Sequence, residues 1–249
     1  MRLIFTYHEV REFVKEGDAG FYAISPSQFA HHLATLAARG RQSATLAEML
    51  PGKELPEDRY ILTFDDGTED HYGVVFPLLE KSRCRASFFI PTAKLDQPSY
   101  LTRAQVKELA AAGHEICSHS HEHKRMDTMP DDEIRRQISQ SQNILEEITG
   151  TKPVTLVPPG GYTNDRVRAA ATEMGVRVLR TMRWGYNLKP DLMALETVPI
   201  NHYTDDEKFV RLLEARGPSP LYAGKEALKR LLPMRGYERL RRLAFKFWN

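Results

Sequence analysis

Tyr60-Ile61-Leu62-Thr63-Phe64-Asp65-Asp66-Gly67 is the most informative segment of this chain. Five β-favouring residues come first, and two adjacent carboxylates and a glycine follow directly. Successive side chains of a strand point to opposite faces, so Asp65 and Asp66 can serve one site only if the backbone turns there. Gly67 supplies that turn. The simpler alternative is an Asp pair that caps the following helix.

Further β-rich segments alternate with helical segments along most of the 249 residues. Ser25-Pro26-Ser27-Gln28 is typical of a helix start, with a capping Ser and a Pro at the first helical position. This alternation predicts βαβ units, and seven strands favour an α/β barrel over an open sheet. The predicted strands are Leu3–Tyr7, Tyr60–Phe64, Ala86–Ile90, His114–Cys117, Val154–Val157, Val176–Arg180 and Thr197–Ile200.

Composition restricts the classes of partner and compartment. The formal net charge is only +2, so we expect no nucleic-acid partner. No segment approaches the roughly 20 apolar residues of a membrane span, and the opening apolar run is shorter than a signal-peptide core. Cys84 and Cys117 are too few for a disulfide framework and have no zinc-knuckle spacing. These features predict a cytoplasmic protein with reduced thiols.

Polar residues follow the predicted strands at the point where each one ends: His8, Asp65, Asp66, His119, His123 and His202. All strand C-termini of a parallel barrel open onto one face, where βα loops build active sites. We therefore expect these residues to converge although they are distant in sequence.

His119 and His123 are four positions apart, which predicts one shared face of a helical turn, with His121 facing away. Asp66 as a third ligand would complete a site of two histidines and one carboxylate that leaves positions open for water and substrate. Asp65 would remain as a general base, so the set suits metal-assisted hydrolysis. The alternatives are a solvated histidine-rich loop and an iron-dependent oxygenase, which uses the same kind of ligand set.

These residues resemble the polysaccharide deacetylases of carbohydrate esterase family four, the NodB homology domain. Thr63 to Gly67 is similar to the first motif of that family, and His119-Ser120-x-x-His123 to its second. The likeness extends to Tyr7-His8-Glu9-Val10 and to Ala86-Ser87-Phe88-Phe89-Ile90-Pro91. It implies a deformed (β/α) barrel of about seven parallel strands that removes N-acetyl groups from amino sugars.

The resemblance also implies roles for individual residues. Asp66, His119 and His123 would hold a divalent metal, most often Zn²⁺ and in some members Co²⁺ or Ni²⁺. Asp65 would deprotonate the attacking water. Ser120 would not bind the metal itself but would orient one of the metal ligands. The third motif of the family reads Arg-Pro-Pro-Tyr-Gly, whereas this chain has Val157-Pro158-Pro159-Gly160-Gly161 and lacks both the arginine that orients the base and the aromatic ring.

The sequence leaves three roles undecided: the oxyanion donor, the general acid and the function of Trp184. Gly160 and Gly161 keep the turn of the third motif, and the Gly160 N–H could serve as an oxyanion donor. The late motifs are not recognisable, so two histidines remain as the general acid, His8 and His202, with His8 slightly favoured. Trp184 could stack on a sugar ring or could belong to the core.

The C-terminal residues differ from the rest, with eight Lys or Arg against two Glu from Lys225 to the end. We predict that residues 1–215 form the barrel and that residues 216–249 form a basic amphipathic helical tail. The tail could pack on the barrel or could contact the anionic inner face of a membrane.

The leading hypothesis is a metal-dependent hydrolase that removes N-acetyl groups from an amino sugar in a saccharide, polysaccharide or lipid-linked glycan precursor. Its substrate would be the N-acylated saccharide, and the oligomeric state is open. The alternatives are another C–N hydrolase, such as a sugar deformylase, and a catalytically inactive carbohydrate-binding relative.

Overall fold

A closed parallel barrel forms the core of residues 1–209. The structure is a computed structural model that describes residues 3–12, 20–52, 55–56 and 59–214. The described strands are β1 Leu3–Tyr7, β2 Ser43–Ala44, β3 Tyr60–Phe64, β4 Ser87–Ile90, β5 Glu115–Ser118, β6 Thr155–Leu156, β7 Val178–Trp184 and β8 Leu195–Pro199. Seven of them close a ring in the order β1-β8-β7-β6-β5-β4-β3, because β3 pairs back onto β1, while β2 lies outside on β3. The predicted barrel of about seven parallel strands is confirmed.

Helices connect most of the strands and cover the barrel. They are α1 Pro26–Ala38, α2 Phe76–Lys81, α3 Arg103–Ala111, α4 Asp131–Thr149, α5 Asp165–Glu173 and α6 Asp206–Leu213, and a π-helical turn at His71–Val75 precedes α2. The predicted cap of α1 is confirmed, because the Ser25 side chain accepts a hydrogen bond from the Gln28 N–H at 3.1 Å. Satisfying this otherwise unpaired N–H fixes where the helix begins.

Five of the seven predicted strands differ from the observed ones at one or both ends, by one to four residues, and β2 was not predicted. β7 continues four residues past its predicted end at Arg180 and finishes at Trp184. The prediction stopped early because charged and polar side chains interrupt the apolar run there, whereas pairing with β8 sustains the strand through a register shift. β2 has only two residues and carries no periodic signal of its own.

The barrel interior is layered. Its floor is apolar and includes the inward-facing residues Ile4, Ile61, Phe89, Cys117, Val178 and Leu195. The next layer contains hydroxyl groups: Thr6 Oγ1 lies 3.0 Å from Thr63 Oγ1 and 2.6 Å from Thr197 Oγ1. The interior therefore becomes polar towards the C-terminal ends of the strands, where an active site is expected.

The chain divides into two compact units, residues 1–209 and 210–249. Only residues 210–214 of the second unit are described, so the basic tail predicted at 216–249 lies outside the described residues and the boundary at 215 stays a prediction. Within the described ranges, no helix combines the length and apolar character that crossing a bilayer requires.

Candidate active site

Side chains of four strands continue past the strand ends and meet in the barrel mouth. Alternation puts every second residue of a strand on the same face. The inward rows are Ile4-Thr6-His8 from β1, Ile61-Thr63-Asp65 from β3, Cys117-His119 from β5 and Val178-Arg180 from β7. Each row begins with an apolar residue in the barrel floor and ends with a polar residue in the barrel mouth. Residues far apart in sequence therefore meet at the mouth.

Asp66, His119 and His123 form one compact cluster. Asp66 Oδ1 lies 3.3 Å from His119 Nε2 and 3.0 Å from His123 Nε2. The three candidate ligand atoms all lie within 4.8 Å of one another. His119 is buried, whereas Asp66 and His123 are each about one-third exposed at the side chain, 35% in both cases, so one side of the cluster is open to an incoming ligand.

Hydrogen bonding behind His119 indicates that this cluster fits a cation. The Val157 carbonyl can only accept, so the His119 Nδ1–H donates to it at 2.6 Å. Nε2 of a neutral His119 then presents a lone pair towards the Asp66 carboxylate, which also has only lone pairs to offer. His123 Nε2 is a buried atom without a hydrogen-bond donor or acceptor partner, although the same carboxylate stands 3.0 Å away. A divalent ion among these three atoms would satisfy all of them.

The pKa of Asp66 agrees with this donor set, whereas the raised pKa of His119 describes a ring that must release a proton before it can bind an ion. Burial would raise the pKa of Asp66, but its interactions with His119 and His123 outweigh burial and hold that pKa far below its usual range. Burial lowers the pKa of His119, and the hydrogen bond to Asp66 with the charges of Asp65 and Asp66 raises it above its ordinary value. Asp66 is therefore ionised at neutral pH, as a metal ligand must be.

Local backbone conformation brings the two histidines together, and the predicted helical turn is wrong. Ser120 and His123 have φ values of 63° and 56°, in the left-handed region that an α-helix does not visit. The Ser120 hydroxyl accepts a hydrogen bond from the His123 N–H at 3.2 Å and so shapes the turn that carries the ligand. His121 lies apart from the cluster, where its Nδ1 meets the Thr92 hydroxyl at 2.9 Å.

The turn after β3 begins one residue earlier than predicted. Asp66 itself has a φ of 76°, and Gly67 follows with 61°. This conformation is strained for Asp66 but turns its carboxylate into the same mouth that Asp65 enters from the strand row. The carboxylates of Asp65 and Asp66 therefore both lie in the barrel mouth, as one shared site would require.

Asp65 has a partner that sequence reasoning missed. Both of its carboxylate oxygens accept hydrogen bonds from Arg180 Nη2, at 2.5 and 2.6 Å, and both side chains are buried. Burial alone would raise the pKa of Asp65, but the charge of Arg180 outweighs it and keeps that pKa below its ordinary value. The signal was present in the sequence, because Arg180 shares the inward face of β7 with Val178. An arginine that the third motif lacks is therefore supplied by the next strand.

The two candidate acids occupy different places. His8 Nε2 lies 4.0 Å from Asp65 Oδ2, and the His8 side chain is 16% exposed. His202 instead donates from Nδ1 to the Phe21 carbonyl at 3.1 Å, and its ring lies 3.9 Å from that of Tyr203. The structure brings His8, but not His202, to Asp65.

The third-motif loop packs closely on β7. A Cβ at Gly161 would stand 2.1 Å from the Met182 backbone nitrogen, and one at Gly160 would stand 2.6 Å from the Tyr162 ring. Both positions also have φ near 66°, so glycine is required at each. Trp184 was predicted to follow its strand but is the last residue of β7, and its ring meets the edge of Tyr186 at 5.1 Å.

Comparisons with known proteins point to one family. The family model described as polysaccharide deacetylase matches residues 52–179. The peptidoglycan-N-acetylglucosamine deacetylase of Bacillus cereus is 30% identical over 161 residues, which are 62% of this chain and 71% of that enzyme. Chitin deacetylase 1 of Cryptococcus neoformans is 28% identical over 116 residues, 46% of this chain.

The chain spans less than two thirds of some of these relatives. It covers 24% of the Cryptococcus enzyme and 57% of a relative from Bacillus subtilis. Among solved structures, the Streptococcus pyogenes deacetylase PplD in complex with acetate matches with a TM-score of 0.78 and 21% identity, over 87% of this chain and 98% of that one. This likeness shows the same fold.

Proposed function

Because the chain belongs to the polysaccharide deacetylase family, we propose that it is a metal-dependent hydrolase that removes N-acetyl groups from an amino sugar within a saccharide. The observation that carries the proposal is a buried, ionised carboxylate beside an intact metal-ligand cluster: Asp65, held by Arg180, next to Asp66, His119 and His123. A hydrolase needs both parts within reach of one carbonyl group.

Zinc is the ion that we propose for the cluster, with Co²⁺ or Ni²⁺ as alternatives. Two imidazole nitrogens and one carboxylate oxygen suit Zn²⁺ and leave a position for substrate. Asp66, His119 and His123 would hold the ion, and the Val157 carbonyl would fix the orientation of His119. When bound there, the ion would supply polarisation of the amide carbonyl and a more acidic water.

Asp65 and His8 would handle the protons. The ionised Asp65 carboxylate can accept a proton from the attacking water, and Arg180 keeps both carboxylate oxygens in place while it does so. His8 can donate a proton to the departing amine nitrogen, since its Nε2 faces the same space. Burial lowers the pKa of His8, and the carboxylates of Asp65 and Asp66 oppose that shift. Its lowered pKa makes protonated His8 a stronger acid towards nitrogen.

The acyl group and the sugar are part of the proposal. The relatives named as deacetylases of peptidoglycan N-acetylglucosamine and of chitin support an N-acetylglucosamine unit. The Gly160 N–H would stabilise the oxyanion, because a backbone donor does this without any side chain. A formyl group in place of acetyl, or binding without turnover, remains the competing interpretation of the same cleft.

Product analysis would test the function directly. We would load the protein with Zn²⁺, incubate it with N-acetylglucosamine oligosaccharides, N-formyl analogues and lipid-linked N-acetylated sugars, and record mass spectra and released acid. We expect loss of one acetyl group per turnover, loss of activity after chelation and its return with Zn²⁺. Release of formate only would establish the deformylase, and saccharide binding with no product from any sugar would establish the inactive relative.

The cellular location of the protein and its contact with a membrane are a separate proposal. We propose a cytoplasmic protein that contacts the anionic inner face of the membrane through residues 216–249, a location that suits lipid-linked precursors. The eight basic residues from Lys225 onward, with Phe245, Phe247 and Trp248 among them, support this. Sedimentation with anionic vesicles would compare the full chain with one stopped at Gly224, and equal sedimentation would refute the membrane contact.

A further inference from the structure

Three aromatic side chains, Phe21, Tyr22 and Tyr203, form a surface beside His8 that we call the aromatic platform. The Tyr22 ring stacks on His8, with 4.6 Å between centroids and 17° between planes. Phe21 meets Tyr22 edge-on at 4.8 Å and lies 6.2 Å from Tyr203. A continuous row of rings therefore leads from the proton donor to the surface of the protein.

The exposure of the platform increases with distance from the active site. His8 and Tyr22 are partly buried, whereas Tyr203 is 61% exposed. Among the described residues, only Leu188 is a more exposed large apolar side chain, so Tyr203 stands apart from the buried core. An exposed ring at the end of a row that begins at His8 is accessible to a ligand that reaches into the active site.

His202 joins the two loops that carry the platform. Its Nδ1–H donates to the Phe21 carbonyl in the loop after β1, and its ring packs on Tyr203 in the loop after β8. This contact fixes Phe21 and Tyr203 relative to each other and gives His202 a structural role. A rigid aromatic surface costs little conformational entropy when a ligand binds.

Hydrogen-bonding groups border the same surface. The Glu9 carboxylate follows His8 and lies beside Gly20, the residue before Phe21: a Cβ at Gly20 would stand 3.9 Å from Glu9 Oε1. Glu9 is partly exposed and is paired with Arg11. Aromatic faces next to charged hydrogen-bonding groups match a pyranose, which has apolar C–H faces and hydroxyl groups around its edge.

We propose that the aromatic platform is a saccharide subsite that holds a pyranose unit next to the one being deacetylated. The proposal rests on the proposed function, because it needs the reacting acetamide to lie between the metal cluster and His8. A glycan chain that extends from the reacting sugar towards His8 would then run along Tyr22 and Phe21 to Tyr203. A single amino sugar would then fill only part of the site.

The first test measures turnover against substrate length. β-1,4-linked N-acetylglucosamine saccharides of one to four units would be compared with the wild type, Tyr203→Ala and Tyr203→Phe. For the wild type we expect kcat/KM to rise when a second or third unit is added. Tyr203→Ala should reduce kcat/KM for the trisaccharide about fivefold through KM, leave the monosaccharide unchanged, and be rescued by Tyr203→Phe, which keeps the ring.

Tyr72 supplies the matched control, because its hydroxyl donates to Glu108 of α3 and its ring contacts Phe76, neither of which belongs to the aromatic platform. Tyr72→Ala removes one tyrosine ring and should leave the dependence on length unchanged. An equal loss by Tyr203→Ala on every length of substrate, or no loss on any, would overturn the subsite.

The second test separates the subsite from the chemistry. Dissociation constants of the same saccharides would be measured by NMR titration with the metal-loaded wild type and with Tyr203→Ala. If Tyr203→Ala binds the trisaccharide about fivefold more weakly than the wild type, the result supports the platform. If the wild type also turns over none of the sugars, the proposed function fails and the platform does not. Equal dissociation constants, or no saccharide binding at all, would overturn the platform.

Discussion

The metal cluster and the proton-transfer pair lie side by side but are assembled in different ways. Asp66, His119 and His123 come from two loops, and the spacing of two short motifs already predicts them. Arg180 lies in β7, whereas Asp65 and His8 directly follow β3 and β1, and nothing in the chain near Asp65 indicates that Arg180 is its partner. Short sequence motifs thus identify the metal ligands of this chain, whereas the Asp65–Arg180 pair forms only when the barrel closes.

The difference also concerns energy. The metal cluster is partly exposed, and its ligand atoms offer lone pairs that an ion can satisfy. The contribution of these residues to the free energy of unfolding should therefore depend on whether a metal is bound. Asp65 and Arg180 are both buried and paired through Arg180 Nη2, although Arg180 Nε has no hydrogen-bond partner among the described residues, so the energy of this pair is fixed on folding and does not depend on metal. Variants in the two regions should therefore separate metal binding from stability and turnover.

Asp65→Asn should have the largest effect on turnover. It keeps the size of the side chain but removes the proton acceptor, and we expect kcat to fall by about a thousandfold or more. The Zn²⁺ content, measured on purified protein, should change little because Asp66 and the histidines remain. Comparable turnover by this variant would show that another group deprotonates the water.

His123→Ala should have the largest effect on metal. Loss of one of three protein ligands should weaken Zn²⁺ at least about a hundredfold, which a competition assay with a chromophoric chelator would measure. His121→Ala is the matched control, since His121 lies two residues away and bonds to Thr92 instead. Equal weakening in both variants would mean that the loop, rather than the ligand, controls the affinity.

Arg180→Met should reduce stability. It leaves the Asp65 carboxylate buried without its partner, and we expect a loss of about 3–5 kcal/mol in the free energy of unfolding by urea. Arg135→Met, which breaks an exposed pair with Glu173, should change little. Joining Arg180→Met to Asp65→Leu should return most of the lost stability, because neither charge then remains buried. A double variant as unstable as the single one would contradict this pairing.

The sequence predicted the two regions unequally for physical reasons. The parallel barrel and the convergence of its strand ends follow from the alternation of β-rich and helical segments along the chain. The turn at His119–His123 was predicted with the wrong backbone, because spacing of four fits a helix and also fits a loop with left-handed residues. His202 was a reasonable acid by its place after the last strand, but which loop it packs against depends on Phe21, far away in the chain. Arg180 was in view as an inward residue of β7, yet only the closed barrel brings it to Asp65.

His8→Gln and His202→Gln should differ in kind. His8→Gln removes the proposed donor beside Asp65, and kcat should fall about a hundredfold with little change in KM. His202→Gln loosens the contact with Phe21 and should act mainly on KM for longer saccharides. Steady-state kinetics on mono- and trisaccharide would separate the two patterns. A large fall in kcat for His202→Gln alone would make His202 the acid.

The smallest effect concerns the packing behind the strand that leads to His8. His32 of α1 is buried, its ring stacks on Phe209 at 3.9 Å, and its Nδ1 meets the Tyr7 hydroxyl at 3.2 Å. Burial lowers the pKa of His32 from 6.5 to about 4. The unfolded chain therefore takes up a proton at higher pH than the folded one. Stability that is present above the unfolded pKa should be lost as the pH falls towards the folded value.

Urea unfolding across this range would measure the loss. For the wild type we expect His32 to contribute a decrease of roughly 3 kcal/mol between about pH 7 and pH 4, added to that of other groups. His32→Gln cannot take up the proton, so its stability should fall less steeply than that of the wild type. His31→Gln is the control, because His31 is adjacent and exposed beside Asp206. If the slope is the same in all three proteins, the packing of the strand before His8 does not depend on a neutral His32.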